Sequence, residues 1–424
     1  MIKDRVLYDY TFMSSKFVGK GGFEDKEIES LYPKLERVKK GLVANKKSCD
    51  LEFACLPYAT TNLDVILDKA SDLCKNYSTM VVVGIGGSDL GTRAVYEALG
   101  SRNGCSLVFL GDTPDPNALT KFLSATDLAK TCFNFVSRSG ETIEILAVYS
   151  FLKDKLNASQ VIVTTGQSGY LREEAKKRGY FLFDEPKNVG DRFSVLSVVS
   201  LLPLGFVGLN IRAFLDGARV LADLIDLTEV RDDPMLLYSC LAYLAYSKRK
   251  QSISILMPYS NFLAGFGKWH RQLFAESLGK DGLGLTPVDL VGPRDQHSFL
   301  QLLNDGPKDK TVTFVRILGL DTDLKVSELK EFKDVSLFHL LETELSATAK
   351  TLAKNKVPNG TLFVPRLTEH FLGQLFYFME IACSYLGMLF DIDPFNQPGV
   401  EKNKELIAKL LSEERKDQVG ELII

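Results

Sequence analysis

A chain of 424 residues is long for a single hydrophobic core and points to two or three domains. Its 45% hydrophobic and 25% charged residues are those of a soluble globular protein. The net charge of -3 gives no electrostatic reason for nucleic acid or an anionic membrane as partner, although a local basic site for a small anion stays open.

The N-terminal stretch MIKDRVLYDYTFMSSK is interrupted by charges and predicts no signal peptide. Residues 1–60 read as charged helix with no strand of their own. From Met80 an alternation begins. MVVVGI, CSLVFL, CFNFVS and VIVTT are buried-strand runs, separated by helix-compatible TRAVYEALG, PNALTKFLSATDL and ETIEILAVYSFLKDKL. The apolar run Phe193 to Leu209 contains Ser and Pro, falls short of a membrane span, and reads as a buried segment. After a helical passage at about 210–250 a second alternation follows: ISILMP, helix 262–278, TVTFVRIL, helix ELSATAKTLAKN and GTLFVP. Two helices, HFLGQLFYFMEIACSYLGMLF and VEKNKELIAKLLSEE, close the chain. Apolar strands alternating with amphipathic helices predict an α/β fold of two doubly wound, parallel-sheet α/β/α sandwiches in tandem. Ligands of such sheets bind beyond the carboxyl ends of the strands.

The seven cysteines are scattered without a CxxC pair, which predicts reduced thiols in a cytosolic protein rather than a disulfide framework or a zinc site. Of the histidines at 270, 297, 339 and 370, no two have metal-ligand spacing, so no metal centre is expected.

Two strand-to-helix turns carry chemistry. VVVGIGGSDLG, Val81 to Gly91, lets backbone N–H groups approach a phosphate or a sugar, and it equally fits a plain tight turn. The dinucleotide fingerprint fails, because Asp89 stands where the third glycine belongs. VSRSGETIE, Val136 to Glu144, offers Ser137, Ser139 and Thr142 at a predicted helix N-terminus beside Arg138. Hydroxyls, backbone donors and the helix dipole together suit a phosphate, and an ordinary Ser/Thr cap is the alternative.

A third stretch, WHRQLFAESLGK, places Glu276 about one turn from the end of a helix, with Gly279 as its C-cap. An anion at that end is disfavoured by the helix dipole, so a carboxylate there needs a reason. Gln272, one turn earlier, shares its face.

GIGGSDLG followed by SRSGET resembles the glucose-6-phosphate isomerase family, built from two sugar-isomerase (SIS) domains. VGDRFSVLSVVSLLPLG, QLFAESLGK, DQHSFLQLL and FNQPGVEKNK agree with further family segments in the same order, from about residue 81 to 404. The resemblance implies interconversion of glucose 6-phosphate and fructose 6-phosphate in glycolysis and gluconeogenesis. It also implies no redox cofactor, no metal, and a cytoplasmic homodimer. The implied domains are a helical extension 1–60, SIS-like domains 61–208 and 209–390, and a helical segment 391–424 completing the active site.

Residue by residue, Ser137, Ser139, Thr142 and the backbone of Arg138 correspond to the phosphate site, and Gly87 and Ser88 to the sugar site. Glu276 corresponds to the catalytic base, with Gln272 beside it. Near a helix C-terminus in a partly closed pocket, its carboxyl is expected to hold a proton more readily, which suits a base that returns what it takes. His297 corresponds to the histidine that assists ring opening, in the family from the partner subunit. Gln397 corresponds to a substrate contact, and Lys404, downstream of it, to the lysine near the ring oxygen. Arg192 corresponds to the arginine that stabilises the enediolate. Two positions depart from the family: Asp191 where glycine is usual, and Arg138 where lysine is commoner. Asp191 is expected to pair with Arg192, weaken its field, or point outward. A nicotinamide dehydrogenase and a non-catalytic phosphosugar sensor are the rival readings. Asp89 opposes the first, and retention of Glu276, His297, Arg192 and Lys404 opposes the second. A dual glucose/mannose phosphate enzyme is the alternative within the isomerases.

Overall fold

The computed structural model describes residues 4–59, 62–328 and 334–414. The strands in chain order are β1 Leu7–Asp9, β2 Thr79–Val83, β3 Ser106–Leu110, β4 Thr131–Ser137 and β5 Val161–Thr165, then β6 Phe181–Asp184, β7 Ile253–Pro258, β8 Thr286–Asp289, β9 Lys310–Gly319 and β10 Asn359–Arg366. They form two five-stranded sheets with orders β3-β2-β4-β5-β6 and β1-β10-β9-β7-β8. Every pairing in the first sheet is parallel. All seven residues of β4 are buried, as expected of a central strand covered on both faces.

The N-terminal region, expected to be wholly helical, supplies β1, which pairs antiparallel with β10 at the sheet edge. Three residues are too short for an alternation to register, and this pairing is set by Leu7 meeting Phe363, far away in sequence. The cysteine expectation is also corrected: Cys49 and Cys55 are joined as a disulfide. The helix Tyr32–Ser48 ends with Cys49 in the left-handed conformation, which turns the chain back so that the short helix Glu52–Cys55 brings the second thiol alongside. Among the described residues Cys74, Cys105, Cys132, Cys240 and Cys383 are free.

The apolar run after Arg192 forms the helix Val198–Phe206, buried along nearly its whole length. The helix Glu369–Leu389 is long and apolar enough to cross a membrane, yet its window is 94% buried against the rest of the protein. It is the central core helix, packed on Phe214 and Phe266 through Phe376.

The chain passes from β2 to β3 on one side and then to β4 on the other, so the order reverses between β2 and β4. A crevice opens at the carboxyl ends of strands at such a point. The glycine turn after β2 and the Ser/Thr turn after β4 lie at its two lips. The helix Ala264–Leu278 follows β7 of the second sheet but packs against the helix Leu90–Leu99 of the first. Gly265 permits this approach, since a Cβ there would sit 2.9 Å from the Ala94 Cα. The crossing carries Glu276 toward the first sheet.

Candidate functional site

Glu276 occupies the last turn of the helix Ala264–Leu278, with Gly279 at the C-cap. Its carboxylate is neither buried nor free, at 23% side-chain exposure. Gln272 Nε2 donates to Glu276 Oε2 at 3.1 Å, one helical turn away. Arg192 Nη1 lies 3.7 Å from Glu276 Oε1. A cation is thus set against the negative field of the helix end, a compensation that the sequence pattern does not display.

Arg192 sits in a short turn, Asp191–Phe193, and its side chain is only 1% exposed. A buried guanidinium needs acceptors for its donors, and it finds four. Nε donates to Ser277 Oγ at 2.7 Å and Nη1 to Gln397 Oε1 at 2.7 Å. Nη2 donates to the carbonyls of Pro394 at 2.8 Å and Asn396 at 3.0 Å. Burial pulls its pKa below the ordinary arginine value, with Glu276 acting in the opposite direction. Gln397, seen in the sequence as a substrate contact, is here a ligand of Arg192 and tethers the start of the helix Pro398–Glu414.

At the end of β4, Ser137 and Thr142 share a hydrogen bond of 2.7 Å, and Ser139 Oγ stands 3.5 Å from Ser137 Oγ. Thr142 is the N-cap of the helix Ile143–Leu152, yet its side chain makes no cap bond. An ordinary cap would accept from the helix backbone. Here the hydroxyl meets Ser137 instead, so it takes no bond from the first helical N–H groups, while Ser139 Oγ accepts from the Glu141 N–H at 3.1 Å. Hydroxyls and amide donors therefore converge at one helix N-terminus, the arrangement that suits a phosphate.

Gly86, Gly87 and Ser88 form a tight turn after β2. Gly87 presses on the arginine turn so closely that a Cβ there would overlap the Asp191 carbonyl carbon. Gly86 has a positive φ of 61°, and a Cβ on it would stand 2.8 Å from Gln272 Nε2. Only glycine fits between these two neighbours. The glycine turn, the arginine turn and the Glu276 helix meet here.

Asp191 does not pair with Arg192. Its Oδ1 lies 3.0 Å from Arg138 Nε, although no N–H points along the axis to make a hydrogen bond. Arg138 Nη1 donates to the Val189 carbonyl at 3.2 Å. Behind them Glu185 is buried with Oε1 unpartnered, and burial, with Asp191 adding, pushes its carboxyl up to about 8. These two departures from the family pattern thus face each other.

Two expected residues lie elsewhere. His297, in the first turn of the helix Gln296–Asp305, lines a separate cavity of about 550 Å3 with Tyr259, Arg294 and Arg316. Lys404 projects from the helix Pro398–Glu414 with 61% exposure and pairs with Glu401 at 3.1 Å. Lys280 was not anticipated. It lines a cavity of about 360 Å3 with Glu276 and Gln397, and donates to the Ser277 carbonyl at 2.9 Å. Burial, with Arg192 adding, lowers its pKa. Its place at the end of QLFAESLGK, one turn beyond Glu276, was the available signal. Among the described residues no group of three or more His, Cys, Asp or Glu is placed to hold a metal ion.

A family model described as phosphoglucose isomerase matches residues 69–333 and 327–421. A protein of Methanocaldococcus jannaschii named glucose-6-phosphate isomerase is 36% identical over 82% of this chain and 89% of its own. A Methanococcus maripaludis protein named probable glucose-6-phosphate isomerase is 31% identical over 98% and 97%. Among solved structures, a Thermus thermophilus protein described only as hypothetical is 31% identical with a TM-score of 0.87, covering 96% of this chain and 99% of that one. A glucose-6-phosphate isomerase from Chlamydia trachomatis shares the fold with a TM-score of 0.83 at 23% identity, covering 98% and 90%.

Proposed function

The chain belongs to the phosphoglucose isomerase family and is an aldose–ketose isomerase of glucose 6-phosphate and fructose 6-phosphate, and on that premise we propose how its own residues carry the reaction. Glu276 is the base. It takes the proton from C2 of the open-chain aldose, leaving a cis-enediolate whose negative charge develops on the sugar oxygens. The same carboxyl then returns the proton to C1 while the hydroxyl proton passes from O2 to O1, giving the ketose. Arg192 faces the developing charge, and fixed donors aimed at such charge contribute on the order of 3 kcal/mol or more. Ser137, Ser139, Thr142 and the Arg138 backbone hold the phosphate, while Gly87, Ser88 and Gln272 line the sugar. The observation that carries this reading is the Gln272–Glu276–Arg192 constellation set beside the glycine turn.

In this scheme residues 61–208 supply the phosphate turn, the sugar turn and Arg192. Residues 209–390 deliver Glu276, and residues 391–424 add Gln397 and Lys404. His297 opens the sugar ring from the other subunit of a homodimer. Its position on a separate cavity of its own chain supports that arrangement. The exposure of Lys404 means that the helix Pro398–Glu414 must swing inward for its ammonium to reach the ring oxygen. The step uses no redox cofactor and no metal, and the enzyme is cytoplasmic. The Cys49–Cys55 disulfide is the feature least at home in a reducing compartment.

A coupled assay of fructose 6-phosphate conversion, with and without chelator, tests the reaction. Wild type should turn over equally in both, and Glu276→Gln should lose ~10²-fold or more in kcat with KM within a few-fold. Turnover of Glu276→Gln near the wild-type rate would remove the carboxylate from the base role.

A further inference from the structure

Three loops of this site meet around one residue, Asp191, whose side chain the scheme above does not use. The Asp191 backbone is pressed against Gly87 of the sugar turn. Its neighbour Arg192 faces Glu276, and its carboxylate forms an ion pair, without an aligned hydrogen bond, with the guanidinium of Arg138, which belongs to the phosphate turn. Arg138 is the one cation in the Ser137 to Thr142 stretch. Left free, it would be the natural partner of a phosphate, because a guanidinium fork matches phosphate oxygens in a bidentate fashion. Instead its Nε lies 3.0 Å from Asp191 and its Nη1 is spent on the Val189 carbonyl. Glu185 stands behind the pair as a second acid facing both.

We infer that Asp191 is a positioning residue that holds the Arg138 guanidinium back from the substrate phosphate, so that hydroxyls and backbone amides alone grip it. A full ion pair to the phosphate would strengthen binding of substrate, transition state and product alike. Such uniform binding lowers KM without raising kcat, and it slows the departure of a product that carries the same phosphate. Asp191 therefore sets the balance between affinity and release. This inference rests on the phosphate-turn reading proposed above.

Inorganic phosphate as a competitive inhibitor is the probe. Asp191→Asn keeps the shape and removes the charge. It should tighten phosphate inhibition and lower KM, each by ~5-fold or more, while kcat falls. Asp191→Glu, which retains the charge, should stay close to wild type. Adding Arg138→Ala to Asp191→Asn should abolish the gain, because the freed guanidinium is its source. Circular dichroism on each variant separates these effects from unfolding. Unchanged phosphate inhibition in Asp191→Asn, or an equal gain in the Arg138→Ala background, would overturn the inference. Thr142→Val distinguishes the underlying reading: inhibition weakened ~10-fold supports the phosphate turn, and unchanged inhibition sinks both.

Discussion

Glu276 and Ser277 are neighbours in sequence, and each meets the Arg192 guanidinium through a different atom. This explains why a carboxylate stands at the unfavourable end of a helix: the field there is opposed by a buried cation locked to four acceptors. The pairing joins residues far apart in the chain, so only the carboxylate's odd position was legible. Likewise the sequence shows Asp191 and Arg138 as two separate oddities, and nothing in local spacing says that they face each other. His270 illustrates the opposite case. It lies one turn before Phe274, fully buried, with both ring nitrogens unpartnered and the two ring centroids 4.2 Å apart. Burial drives its pKa down to about 3, so it is neutral in the folded protein. Its stabilising contribution is present above the unfolded value near 6.5 and is lost as pH falls toward 3, at ~1.4 kcal/mol per unit. His270→Leu should therefore shift acid unfolding, followed by circular dichroism, to lower pH. An unchanged acid midpoint would contradict the assignment.

At the scale of elements, the strand–helix alternation was readable because parallel strands buried on both faces are apolar throughout. β1, β6 and β8 escaped, being three or four residues long and lying toward sheet edges where pairing rather than pattern defines them. The glycine turn after β2 was visible as a motif, while the reason for its glycines appears only in packing. Gly87 abuts backbone on the arginine turn, and backbone cannot swing aside as a flexible side chain can. Gly87→Ala should displace Arg192 and cost ~10² in kcat/KM, since an ångström-scale misplacement is enough for that. Wild-type kcat/KM in Gly87→Ala would show that the contact does not position the site.

For the whole molecule, the tandem arrangement follows from the alternation, but the crossing that makes one site from two sheets does not. Helix Ala264–Leu278 belongs by sequence to the second sheet and delivers its carboxylate to the first. A sequence lists elements in order, and this packing is set by small residues such as Gly265 at the crossing. The same scale governs His297, which its own fold keeps on another cavity. If it acts across a dimer, mixing inactive Glu276→Gln and His297→Ala homodimers under subunit exchange should restore activity, because each hybrid holds one intact site. No recovery on exchange would count against the shared site.

Proton movement through Glu276 is the claim on which the mechanism stands, and hydrogen exchange with solvent reads it without waiting for net turnover. In D2O, wild type should place deuterium at C2 of recovered glucose 6-phosphate and at C1 of fructose 6-phosphate, because the carboxyl that takes the proton can trade it before returning it. Glu276→Gln should lose exchange and isomerisation together by ~10²-fold or more while still binding the sugar phosphate. Exchange continuing at the wild-type rate in Glu276→Gln would mean that another group moves the proton.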